Sequence, residues 1–198
     1  VQPPSRDDIT GLVLAGGRAM RMGGIDKGLV EFGGRTLIER VIDRLRPQVA
    51  SMMISANRNI ERYRAFGFPV LLDADEGLEP FPGPLAGMLA GLRAAPTPWV
   101  ATVPCDAPFL PVDLVSRLAD ALAGSRAAVA SVGDMMEPVF CLLHADLADD
   151  LAALLAHGER RTESWLRSVG AAPAVFLVPE SFANLNTLQE LRARDGRP

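Results

Sequence analysis

Apolar and polar positions along this chain switch between a short, continuous period and a helical one. Ile9, Leu12, Val13 and Leu14 make an apolar run over residues 9–14 that predicts a buried strand, and residues 36–45 carry the spacing of an amphipathic helix. The alternation continues. Strands are predicted at 52–56, 70–72 and 99–103, with helices at 61–66, from Gly83 or Pro84 onward through Leu85, Met88, Leu89 and Leu92, and at 112–122. This βαβα order predicts an α/β fold whose mostly parallel sheet is covered on both faces. Beyond Arg126 the order loosens into strands at 127–132 and 138–143, a helix at 147–155 and a final strand at 175–178, so the later half is expected to add antiparallel edges. No sequence repeat, heptad or low-complexity linker interrupts it, and one domain over residues 1–198 is the expectation.

Between the first strand and the first long helix lies LAGGRAMRMGGIDKGL, residues 14–29. Gly16, Gly17, Gly23 and Gly24 permit positive φ and let backbone N–H groups approach phosphate oxygens, while Arg18, Arg21 and Lys27 supply positive charge. A glycine-rich cationic turn at the carboxyl end of a parallel strand suits a nucleotide triphosphate. Two familiar phosphate loops are excluded by spacing. The residue after Gly28 is Leu29, so there is no G-x-x-x-x-G-K-[ST], and no G-x-G-x-x-G follows the first strand.

Composition narrows the partners. A hydrophobic fraction of 48% with 22% charged residues suits a packed core, and a formal net charge of -4 lacks the basicity of a nucleic-acid binder. Cys105 and Cys141 are too isolated for a disulfide framework or a paired-cysteine zinc site, which points to a reducing, cytoplasmic setting. The first ten residues, VQPPSRDDIT, lack the apolar core of a signal peptide, and no later apolar run has the length of a membrane span, so a soluble protein is expected.

Candidate chemistry sits at predicted strand ends. Asp106, after the strand 99–103, is placed to hold a Mg²⁺ that bridges triphosphate oxygens, although an Asp before a Pro-rich turn is also a common turn former. Asp73 ends the strand 70–72 and Asp75 competes with it for a nucleotide contact; Asp73 is preferred because it directly closes the apolar run. GPLAG, from Gly83 to Gly87, opens a helix with small residues that admit a base or phosphate, or else serve close helix packing through Gly87 and Gly91. Asn57 is either a nucleotide contact or an Asx turn. Arg160 and Arg161, after Glu159, offer guanidinium groups for a second anionic substrate or form a solvated loop. Asn184 and Asn186 lie in NLNT, where Asn186 followed by Gln189 reads as a helix capping box. His144 and His157 have no ligand-spaced partner and read as structural.

Taken together, LAGG-x-x-x-RMG-x-DK, Val103 to Pro108 as VPCDAP, GPLAG, GERR and NLNT resemble the signature of molybdenum cofactor guanylyltransferases, the MobA family, over nearly the whole chain. The chain departs from that pattern at Val103 and Leu188, and it has extra residues between Asp73 and GPLAG. The resemblance implies a Rossmann-like three-layer nucleotidyltransferase domain, with a nucleotide half at about 9–125 and a pterin half at about 126–198. It implies GTP contacts by Leu14, Ala15, Gly16, Gly17, Lys27, Asn57, Asp73 and Asp106. Arg21, Lys27 and Asp106 would be catalytic, with Mg²⁺ on Asp106. Gly83, Gly87, Arg160, Arg161, Asn184 and Asn186 would meet molybdopterin or its molybdenum-loaded form. The family further implies contact with other cofactor-synthesis proteins or acceptor molybdoenzymes. Rival readings are a cytidylyltransferase for the same pterin, a sugar-1-phosphate nucleotidyltransferase, a glycosyltransferase using Asp73 and Asp75, and a noncatalytic GTP-binding carrier.

Overall fold

The computed structural model describes residues 2–15, 26–72 and 83–183. Within them lie nine strands: β1 (Ile9–Leu14), β2 (Glu31–Phe32), β3 (Arg35–Thr36), β4 (Ser51–Ser55), β5 (Val70–Leu71), β6 (Trp99–Pro104), β7 (Ala127–Val132), β8 (Met135–His144) and β9 (Ala172–Phe176). The helices are α1 (Leu37–Leu45), α2 (Ile60–Arg64), α3 (Pro84–Ala94), α4 (Leu114–Ala121), α5 (Ala148–Ala156) and α6 (Thr162–Ser168). Seven strands form one sheet in the order β5-β4-β1-β6-β8-β7-β9. All neighbours are parallel except those of β8, which runs against both β6 and β7. The expected parallel sheet with an antiparallel later half is thus present.

Local sequence explains the main turns. Thr36 caps α1, its hydroxyl accepting from the Glu39 N–H at 3.4 Å while the Glu39 carboxylate takes the Thr36 N–H at 2.7 Å. The β2–β3 hairpin, which the apolar pattern does not announce, turns on Gly33 and Gly34, both at positive φ as a two-residue hairpin turn requires. Strand β8 begins at Met135, directly after a tight turn from β7, and so exceeds the predicted 138–143. β9 lies earlier than 175–178, because Val175 faces outward and Leu177 beyond the strand is 87% exposed. Helix α6, which the apolar pattern does not announce, follows the Arg160–Arg161 loop; its anchors are Trp165 and Leu166, both buried.

Two apolar clusters flank the sheet. One joins Ile9 and Val13 to α1, α2 and α4, and the other joins Leu12 to α3, α5 and α6. Close approach is built into α3. A Cβ at Gly91 would lie 2.3 Å from Leu12 Cδ2, and one at Gly87 would lie 2.6 Å from Ser55 Oγ and 2.7 Å from Leu14 Cδ2. Gly87 therefore serves the close packing of α3 on β1 and β4.

Gly91→Ala should destabilise the fold. Overpacking costs about 1–3 kcal/mol, which exceeds the roughly 1 kcal/mol that Ala gains over Gly within a helix. Leu12 is fully buried and has nowhere to move. A fall of a few degrees in melting temperature, about 2–4 °C per kcal/mol for a chain of this size, is the expected result; an unchanged or higher Tm would show that α3 can shift away.

Candidate active site

Register brings four strand ends into one row. Leu71 pairs with Ser55, Ser55 with Leu14, and Leu14 with Pro104, so the chain leaves the sheet at one edge from β5, β4, β1 and β6. Ala15 extends the row by donating to Ser55 O at 2.8 Å, and Cys105 donates to Leu14 O at 3.1 Å. This is the edge at which an open α/β sheet builds its site. Leu14, Ala15, Asn57 and Asp106 all stand on it, as expected from sequence.

Across that edge Lys27 reaches Asp106. The Lys27 ammonium lies 3.0 Å from Asp106 Oδ2, with Asp106 only 6% exposed and Lys27 half-buried. Residues 79 positions apart thus share one charged centre. Asp26 precedes Lys27 and is buried too; Tyr63 donates its hydroxyl to Asp26 Oδ1 at 2.5 Å, and the Asn59 amide donates to Oδ2 at 2.9 Å. Sequence reasoning missed this network, since a lone Tyr in an exposed-looking helix and an Asp in a glycine-rich loop share no periodic signal. Burial first, and then the nearby Cys105 and the Asp26 hydrogen bond, push the Tyr63 hydroxyl up, so it stays a donor. Burial, with the Asp106 and Asp26 carboxylates behind it, likewise pushes Cys105 well up and keeps it an inert thiol.

A second cationic group lies beside the start of α3. Gly83, at φ 89° and ψ -168°, has a conformation open to glycine alone, and a Cβ there would sit 3.9 Å from Arg160 O. Glu159 organises the loop, accepting from the Arg160 and Arg161 backbone N–H groups at 2.8 and 2.9 Å and from the Arg161 guanidinium at 3.2 Å. Arg160 turns its own guanidinium back to Leu155 O at 2.8 Å, which fixes the end of α5. Arg161 keeps its side chain 80% exposed. The expected acceptor residues Gly83 and Arg160 are therefore neighbours in space.

The remaining expected site residues, Gly16, Gly17, Arg21, Asp73, Asn184 and Asn186, together with Asp75, lie outside the described residues. His144 is structural: it stacks edge-on against Trp99 at 4.8 Å and meets Asp146 at 2.9 Å. His157 bonds Ala153 O within its own helix end.

Comparison with known proteins follows this geometry. Residues 11–173 match the MobA-like NTP transferase domain. The chain belongs to that family. This NTP transferase is 48% identical over 200 residues to a molybdenum cofactor guanylyltransferase of Cupriavidus taiwanensis, covering 98% of this chain and 99% of the relative. It is 49% identical over 193 residues to the protein of that name from Bordetella pertussis, covering 94% of this chain and 96% of the relative. Among solved structures, molybdopterin-guanine dinucleotide biosynthesis protein A from Archaeoglobus fulgidus superposes with a TM-score of 0.73 at 22% identity, over 94% of this chain and 96% of that one, a likeness of fold. Among the described residues no helix is long and apolar enough to cross a membrane.

Glu159 gives this NTP transferase a measurable titration. The hydrogen bond from Arg161, followed by the two backbone N–H bonds, lowers its carboxyl to about 2 from an ordinary 4.5. A lowered folded-state value means that the pair's stabilisation is complete above the ordinary value and is lost as pH falls through about 2. Carbon-detected NMR should show that midpoint, and Arg161→Ala should raise it while the backbone bonds hold it below 4.5. A wild-type midpoint at the ordinary value would break the assigned network.

Proposed function

We propose that the protein transfers GMP from GTP to the terminal phosphate of molybdopterin, in its free or molybdenum-loaded form, and releases pyrophosphate. The observation that carries this reading is the Lys27–Asp106 pair at the carboxyl edge of the sheet, in a chain whose relatives bear the guanylyltransferase name at near full length. A phosphate oxygen of the pterin attacks the α-phosphorus of GTP. One P–O bond forms, the bond to the β-phosphate bridge breaks, and pyrophosphate leaves with the electron pair. The attacking phosphate monoester is already largely anionic at neutral pH, so positioning and charge neutralisation suffice.

Lys27 supplies a point charge to the β- and γ-phosphates, and Arg21 is assigned the neighbouring role on the same loop. The family resemblance assigns the GTP contacts to Leu14, Ala15, Gly16, Gly17, Asn57 and Asp73. The donor chemistry of Asp106 fits Mg²⁺. It presents a hard carboxylate oxygen, and Mg²⁺ commonly takes one or two carboxylates and completes its shell with phosphate oxygens and water. When bound there, Mg²⁺ neutralises triphosphate charge. Arg161 and Gly83 receive the pterin phosphate, Arg160 shapes their loop, and Asn184 and Asn186 belong to the same acceptor end. Reaction and acceptor chemistry both suit the cytoplasm, where contact with other cofactor-synthesis proteins or acceptor molybdoenzymes passes the product on.

Two variants divide the labour. Asp106→Asn keeps the shape but loses the charge, so transfer should fall by about a hundredfold or more, as when one fixed contact to developing charge is removed. The dinucleotide formed from labelled GTP and molybdopterin, followed against Mg²⁺ concentration, reads this directly. A wild-type rate with an unchanged Mg²⁺ titration would move the metal elsewhere.

The double variant Arg160→Ala, Arg161→Ala should bind GTP almost normally yet bind the pterin about tenfold to a hundredfold more weakly, the loss expected for a charge-assisted phosphate contact. Calorimetry with each substrate separates the two. Weakened GTP binding with intact pterin binding would transfer these arginines to the triphosphate.

A further inference from the structure

A buried carboxylate one residue before the site's cation needs an explanation that the transfer chemistry does not supply. Asp26 is 8% exposed, and a carboxylate removed from water persists only if its oxygens are matched by donors. Both oxygens are matched, and both donors come from one place. Tyr63 Oη bonds Oδ1 at 2.5 Å from within α2, and Asn59 Nδ2 bonds Oδ2 at 2.9 Å from the residue that opens α2. Asn59 holds φ 51°, the left-handed region that Asn tolerates better than most residues.

The same hydroxyl also touches the other side of Lys27. A Cβ at Gly28 would lie 2.8 Å from Tyr63 Oη and 3.1 Å from Cys105 Sγ, so the turn at Lys27–Leu29 is pressed between α2 and the chain leaving β6. Asp26 O accepts from Leu29 N–H at 3.1 Å and closes that turn. Lys27 is thereby held between an anchored carboxylate before it and a glycine wedged against Tyr63 after it. Its ammonium then meets Asp106, the neighbour of Cys105. Tyr63 is fully buried and its ring is already accommodated by Phe66 and the core, so packing accounts for the ring. Packing does not account for the hydroxyl.

We propose that the Tyr63 hydroxyl, with the Asn59 amide, is a positioning group for the nucleotidyl transfer: it anchors Asp26 so that the following turn aims the Lys27 ammonium at the triphosphate and Asp106. Tyr63 touches no substrate in this arrangement and acts through Lys27. For its kinetic arm the proposal rests on the GMP-transfer reading; its spectroscopic arm does not.

Tyr63→Phe keeps the ring and removes only the donor. It should lower kcat/KM for GTP about tenfold and leave the KM for molybdopterin unchanged. In a Lys27→Ala background the same substitution should change GTP affinity and kcat/KM less than twofold, because residues acting through one another are not additive. The Lys27 side-chain methylene resonance should shift toward that of a solvated lysine in Tyr63→Phe with no nucleotide present. Asn59→Gly, which keeps the left-handed backbone and removes the amide, should give the same pattern more weakly and serves if the Phe variant fails to fold. Equal losses in the wild-type and Lys27→Ala backgrounds, or an unmoved Lys27 resonance in a folded variant, would reduce the Tyr63 hydroxyl to a structural bond. Absence of dinucleotide product from the wild-type protein, with the Lys27 resonance still displaced by Tyr63→Phe, would instead remove the functional reading and leave the positioning role standing.

Discussion

Ile9 and Val13 on one face of β1 and Leu12 on the other are almost wholly shielded from water, and this two-sided burial is what the other elements are arranged to provide. A buried aliphatic side chain contributes about 1.5–3 kcal/mol relative to an exposed one, so a bare face on β1 would be expensive for a domain of marginal stability. The chain covers both faces with helices, and right-handed crossovers then return each parallel strand in the same direction. Strands that run the same way end at the same edge. Lys27 and Asp106, whose charges suit neither apolar layer, meet there.

The two glycines of α3 show how strongly that constraint acts. Each is unfavourable in a helix by about 1 kcal/mol relative to alanine, yet both stand where a single methyl group would collide with Leu12, Leu14 or Ser55. Burial of β1 outweighs helix propensity at these positions. The start of α3 is also pulled tight to the site edge, which brings Gly83 next to the Arg160 carbonyl.

Apart from the short β2–β3 hairpin, the strands and helices from β1 through α4 are legible in the sequence because their apolar runs and stripes stand out from the polar segments between them. Three further features are not. Helix α6 hides behind Glu159, Arg160 and Arg161, since it spans only two turns and one of its three buried positions, Thr162, is polar, so the repeat is too short to stand out. β9 lies at the sheet edge, where outward Val175 and exposed Leu177 are as apolar as the inward residues, so the run of apolar letters extends past the strand. In the site, Lys27 and Asp106 are each legible as candidates by type and position, but Tyr63 is not, because its partner lies 37 residues away and the contact depends on packing that only the folded chain creates. Long-range polar pairs leave no periodic trace.

Strand β8 reverses the direction of the chain. His144, its last residue, pairs with Trp99, the first residue of β6, so β8 ends at the edge opposite Lys27 and Asp106. A helix following a parallel strand travels away from the edge where Lys27 meets Asp106, whereas α5, following β8, climbs toward it and delivers residues 158–161 beside Gly83. One inverted strand thus turns a helix into a measured arm whose length sets how far the arginine loop reaches. At 1.5 Å of rise per residue, adding or deleting a single turn in α5 would move the arginine loop by about 5 Å, more than the span of a phosphate group.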